Sequence, residues 1–176
     1  MIKKLTIIGI YLLLINCASF PKIESENFQQ LTEKNIAEIN GIYSNFAENS
    51  EKHKHLTLSG RLTSTKLKDT ISDIKIEVLN SKEIRFSFIK NQQEIESKIV
   101  KYKLQKDGFL LLKNKNFRSH GIPWIFGDYE IRKYEIGLTS SGNLIMEGVE
   151  QREGAHLMIL WSPSNNYKFT DIYKKK

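Results

Sequence analysis

Ile74-Lys75-Ile76-Glu77-Val78, Leu79-Asn80-Ser81-Lys82-Glu83 and Ile84-Arg85-Phe86-Ser87-Phe88, taken in that order, decide the fold of this chain. Successive side chains on a strand point to opposite faces, so residues two apart share a face. Ile74, Ile76 and Val78 then share one face, and Lys75 and Glu77 the other. Ile84, Phe86 and Phe88 are separated from Arg85 and Ser87 in the same way. With Asn80-Ser81 turning the chain between the two runs, the stretch reads as a β-hairpin with one apolar face.

The period of two continues in both directions. Downstream, Ile95 and Ile99 fall in one phase, whereas Val100, Tyr102 and Leu104 fall in the other. A phase slip within one long strand predicts a β-bulge. Lys106-Asp107-Gly108 turns the chain into the unbroken apolar run Phe109-Leu110-Leu111-Leu112. Further strands are predicted from Tyr129 to Thr139, Leu144 to Val149, Ala155 to Trp161 and Tyr167 to Tyr173. Turns separate them at Ser140-Ser141-Gly142-Asn143, Gln151-Arg152-Glu153-Gly154 and Ser162-Pro163-Ser164-Asn165-Asn166. Upstream, Thr32 is placed to cap a short helix, with Leu31 and Ile36 spaced as a hydrophobic staple and Asn40-Gly41 as its stop. No helix-length amphipathic segment interrupts the strands, so βαβ units are not expected. The expected fold class is all-β: an antiparallel up-and-down meander with one short N-terminal helix. About eight to ten strands must hide their edges, and closure into a barrel does so most fully.

The first residues read as an export signal. Lys3 and Lys4 are a positive start, and Leu5 to Ile15 an uncharged apolar run. That run is shorter than the roughly 20 residues a membrane-crossing helix needs, and it fits a signal-peptide core. It ends in Leu14-Ile15-Asn16-Cys17, which resembles the bacterial lipobox, with an aliphatic residue three places before a cysteine. The resemblance implies cleavage before Cys17 and acyl chains carried on its sulfur. Asn16 departs from the small residue usual in that place. Cys17 is the only cysteine, which excludes a disulfide framework. Ala18 follows where an aspartate resembles an inner-membrane retention signal, so the outer membrane is the expected location. Residues 1–16 are read as the signal, 17–30 as the lipidated end and polar tether, and 31–176 as a single barrel-like domain.

The 27 basic and 20 acidic side chains give +7, and loss of Lys3 and Lys4 with the signal leaves +5. The lysines are scattered and form no arginine-rich stripe, so nucleic acid is not an expected partner. The closing Lys174-Lys175-Lys176 reads as a solvated end or a contact with anionic lipid.

A short helix, then Gly41-Ile42-Tyr43 opening a strand, then a meander resembles the lipocalin and calycin group of barrels. That resemblance puts an aromatic residue on the first strand, here Tyr43. It sets a basic residue from the end of the last strand across the ring, here Lys174, and together they close the barrel base. Lysine stands where arginine is more usual, and the central segments carry no further motif of the group.

Gly121-Ile122-Pro123-Trp124-Ile125-Phe126-Gly127 is apolar and bracketed by glycines, and its proline excludes a central strand. Ile122, Trp124 and Phe126, with Trp161, are candidates for contact with an apolar ligand or a partner; the alternative is a loop tucked over one end of the core. Phe86, Phe88, Tyr102, Phe109, Trp161 and Phe169 are candidates to line or fill the barrel. His53 and His55 share strand phase, yet a closed metal site needs three or four ligands, so no metal or other cofactor is expected. Glu147, Glu150 and Glu153 read as a solvated hairpin end. Neither Gly-x-Ser-x-Gly, nor a phosphate-binding glycine loop, nor His-Glu-x-x-His occurs, so an enzyme is not expected. Two functions remain: a membrane-anchored barrel holding a small apolar or lipid ligand, and an envelope protein docking a partner through its surface. A monomer is expected in either case.

Overall fold

The computed structural model describes residues 28–48, 57–63, 71–113, 117–122, 126–156, 160–161 and 165–176. In chain order its strands are β1 (Phe28–Gln29), β2 (Gly41–Ala47), β3 (Asp73–Asn80), β4 (Glu83–Lys90), β5 (Gln93–Leu104), β6 (Leu110–Leu112), β7 (Phe117–Ile122), β8 (Phe126–Thr139), β9 (Leu144–His156), β10 (Leu160–Trp161) and β11 (Asn165–Lys175). A 3-10 turn, Ile36–Ile39, precedes β2, and one helix, α1 (Leu58–Leu62), lies between β2 and β3. No helix among the described residues is long and apolar enough to cross a membrane.

In the β3–β4 hairpin, Ile74 stands opposite Phe88, Ile76 opposite Phe86 and Val78 opposite Ile84, and all but Val78 are fully buried. The alternating pattern therefore sets the register: a slip of one residue would turn this whole apolar set to water. Repeated around the chain, the same logic closes a barrel. β2, β3, β4, β5, β6, β8, β9 and β11 pair antiparallel in succession and β11 returns to β2, giving a closed eight-stranded barrel. Closure encloses one core that includes Tyr43, Phe86, Phe88, Tyr102, Tyr134 and Tyr173.

β8 has both edges occupied. β9 runs along one of them, and β7, β6 and β1 follow one another along the other. Beyond the barrel, the first half of β8 and the last part of β9 continue as a sheet flanked by β7 and β10. The turn expected at Gln151–Gly154 is not a turn. β9 runs through it to His156, and only Leu160–Trp161 of the strand expected from Ala155 forms a separate element.

Three further expectations are corrected. Phe28 and Gln29, assigned to the tether, form β1 opposite Thr139 and Leu138, and the Phe28 ring stacks on Phe109 at 4.6 Å between centroids. Phe109, expected inside, packs instead with Phe28 against Gly137 on the outer wall. Thr32 does not cap a helix: its N–H and hydroxyl donate to Asn35 Oδ1, and the chain then enters the single 3-10 turn.

A bulge is present in β5, as expected, but not where the two phases meet, since pairing is regular from Glu96 to Lys101. Phe88 stands opposite Glu96 but Ile89 opposite Glu94, so Ile95 is the inserted residue of a bulge. Past it, Val100 and Tyr102 turn into the core, and Ile99 is left outside at 54% exposure.

Candidate functional site

The two ends of the barrel are built differently. At one end the chain closes it with apolar packing and a few polar ties. Ile39 is fully buried, Tyr43 donates its hydroxyl to the Ile39 carbonyl at 2.9 Å, and Asn40 Oδ1 accepts from the Val78 N–H at 2.8 Å. Burial pushes the Tyr43 hydroxyl up to about 12. The basic residue over the Tyr43 ring is Lys175, whose ammonium lies 5.6 Å from the ring centre and donates to the Glu38 carbonyl at 3.1 Å. Lys174, expected in that role, is exposed. The correction is one of strand phase: Tyr173 already points inward, Lys174 must point outward, and Lys175 returns to the inner side.

At the other end α1 enters the barrel. Thr57 caps it by accepting from the Gly60 N–H, and Asn45 on β2 accepts from the Ser59 N–H at 2.9 Å while donating to the Ile71 carbonyl. Lys98 on β5 donates to the Leu62 carbonyl at 2.7 Å. β5 lies across the barrel from β2, so these bonds string α1 over the lumen. Leu58 and Ser59 are fully buried and Leu62 nearly so.

α1 carries Arg61 into the interior, where its side chain is 1% exposed. Nε donates to Asp171 Oδ2 at 3.0 Å, and Nη2 approaches the same oxygen at 2.9 Å as an ion pair, with no hydrogen bond of its own among the described residues. Nη1 reaches Glu150 Oε1 at 3.3 Å, and Tyr134 donates to that oxygen at 2.6 Å. Tyr173 donates to Asp171 Oδ2 at 3.3 Å. The guanidinium carbon sits 3.1 Å from the centre of the Phe169 ring. Phe169 in turn lies over its register partner Gly148, where a Cβ would meet the ring at 2.2 Å. The glycine is therefore what lets the ring lie flat beneath the guanidinium.

Burial works against the Arg61 charge, but Asp171, Tyr173 and Glu150 outweigh it and hold the guanidinium more firmly protonated. Burial, reinforced by Glu150, pushes the Tyr134 hydroxyl upward; burial and Asp171 do the same at Tyr173. The cluster is thus one buried cation between two carboxylates, with both tyrosines held as donors. Arg132 and Glu130, 2.6 Å apart on β8, continue the polar set along that strand.

Glu147 and Glu150 correct another expectation, since neither belongs to a solvated turn. Glu150 is in the Arg61 cluster, and Glu147 faces the opposite side of β9, 2% exposed and in register with Glu135, itself 3% exposed. Burial, then the neighbouring Glu147, pushes the Glu135 carboxyl up to about 8, and Glu147 is also raised, first by burial.

Cys17, Trp124, His53 and His55 lie outside the described residues. The backbones of Ile122, Phe126 and Trp161 come together at the far end of the sheet extension. Ile122 pairs with Phe126, Phe126 with His156 and His156 with Leu160, and Trp161 stands one position on, opposite Ala155. Sequence reasoning missed Arg61 and Asp171. The one signal for the Arg61 helix was Thr57 three places before Gly60, too short a span to show a helical period.

No family of known proteins, no curated protein sequence and no solved structure matches the chain.

Proposed function

We propose that the chain is a lipid-anchored envelope protein, acylated at Cys17 and facing the outer membrane, whose barrel holds a small apolar or lipid ligand at the α1 end. The anchor rests on Leu14-Ile15-Asn16-Cys17 behind a short apolar run. The ligand reading rests on one observation, the buried Arg61 and Asp171 clustered with the half-buried Glu150. Well-packed apolar residues of similar volume serve stability as well as a buried ion pair does, or better. Fold stability alone does not call for charge at this depth, whereas recognition of a polar headgroup does.

Native mass spectrometry of the purified protein, with lipid extraction of the same sample, tests this reading. A bound small molecule that is lost on Arg61→Leu supports it; the absence of any bound mass from the native chain overturns it. The mass of the mature N-terminus tests the anchor separately, because an unmodified Cys17 removes it. The second reading, a docking protein, is favoured by Phe46 and Ile99, each 54% exposed on the outer wall.

A further inference from the structure

β5 is paired with β4 along its length but with β6 only from Tyr102 to Leu104. After Lys113 the chain resumes as β7, which pairs with β8. Among the described residues no strand is paired to the other edge of β5 before that point. The backbone direction there is set by two bonds. Tyr102 N–H donates to the Lys82 carbonyl on the β4 side, whereas the Lys101 carbonyl accepts from Lys113 N–H on the β6 side. Alternate residues of an antiparallel strand direct their backbone groups to opposite edges. Ser97 and Ile99, in phase with Lys101, therefore aim theirs away from β4. Ser97 is exposed, and Ile95 and Ile99 are 42% and 54% exposed.

We infer that this edge pairs with the same edge of a second copy, forming a two-fold dimer centred on Ser97. The sequence Ile95-Glu96-Ser97-Lys98-Ile99 is self-complementary when run against itself. In an antiparallel pair centred on Ser97, Ile95 meets Ile99 of the other copy on the outer face, and Glu96 meets Lys98 on the inner face. Ser97 meets itself as a hydrogen-bonded pair. Shifting the centre by one residue, onto Glu96 or onto Lys98, sets like charges face to face. Charged residues usually guard a strand edge against pairing. Here they repel at the flanking registers and attract at one, so they select a partner. Lys98 already donates to the Leu62 carbonyl, and an ammonium carries three donors in all. The dimer departs from the monomer expected on sequence grounds, and it is independent of whether the barrel holds a ligand.

Sedimentation velocity on the full chain in detergent tests this inference, with Glu96→Lys, Lys98→Glu and an equimolar mixture of the two variants. The native chain is expected to dimerise, and each variant alone to associate at least about tenfold more weakly, equivalent to about 1.4 kcal/mol. The mixture should recover the dimer, because every lysine then faces a glutamate. Ser97→Cys supplies a readout that does not depend on Lys98. A hydrogen-bonded antiparallel pair sets its Cα atoms about 5.5 Å apart, within disulfide reach. It should give a covalent dimer that Glu96→Lys suppresses. A native chain that sediments as a monomer throughout, single variants that dimerise as tightly as the native chain, or a Ser97→Cys chain that does not crosslink would each overturn the inference.

Discussion

Glu135→Gln should stabilise this protein in alkaline solution and change it little in mild acid. Glu135 and Glu147 stand opposite each other on β8 and β9, both buried, and Glu147 Oε1 has no hydrogen-bond partner among the described residues. Two carboxylates so close cannot both ionise cheaply, so the pair retains a proton past neutrality. The Glu135 pKa rises from 4.5 in the unfolded chain to about 8 in the fold. Between those values the folded state binds more protons than the unfolded state, so stability falls as pH rises and levels off above about 8. At 1.36 kcal/mol per pKa unit the rise has an upper bound of about 5 kcal/mol. Real sites respond with a higher effective dielectric than a dry interior, which brings the expectation to roughly 2–3 kcal/mol. Glutamine has the shape of the protonated acid and can donate to Glu147 at any pH. Urea unfolding of both chains, followed by tryptophan fluorescence at pH 5, 7 and 9, measures the difference directly. The variant should gain on the native chain progressively toward pH 9. Parallel pH profiles, or a variant that loses ground as pH rises, would refute the shared-proton argument.

Three further outcomes are expected from the interior. Arg61→Leu leaves Asp171 buried, and Glu150 half-buried, without their cation and should cost about 3–5 kcal/mol by urea unfolding; adding Asp171→Leu should return part of that loss. Gly148→Ala drives a methyl group into the Phe169 ring and should lower stability by about 1–3 kcal/mol, visible as a drop in Tm. Lys175→Ala removes the tie to Glu38 and should cost about 1 kcal/mol, whereas Lys174→Ala should leave the unfolding midpoint unchanged, since that side chain is exposed.

Much of the architecture was legible because one rule, alternation, governs most of the chain. Ile74 to Phe88 specified both strands and the inward face of their hairpin; the slip expected between Ile99 and Val100 is only the two faces of a regular strand, and the bulge lies at Ile95 instead. The rule misplaced elements where polarity and geometry part company. Gln151-Arg152-Glu153-Gly154 has the composition of a turn, yet it continues β9, paired with β8 throughout. Phe28 looked like an isolated apolar residue in a tether because its partner, Phe109, is far off in sequence.

The interior charges were illegible for a different reason. Alternation sorts side chains into two faces and leaves unstated which one is wet; a glutamate on either face is ordinarily taken as the solvent marker. On β9 that assumption fails twice. Leu144, Met146 and Gly148 lead inward to Glu150, while Ile145 and Val149 bracket Glu147 on the outer wall; Glu147 is buried and Glu150 half-buried. The inner carboxylate is tolerated because Arg61 comes to meet it from a segment that pattern reasoning leaves as a loop, and the outer one because Glu135 shares its proton. A paired residue is therefore the missing information in each case, and for Glu150 it is 89 positions away in the chain. Buried charge of this kind is invisible to local pattern because its cost is repaid only by a distant group.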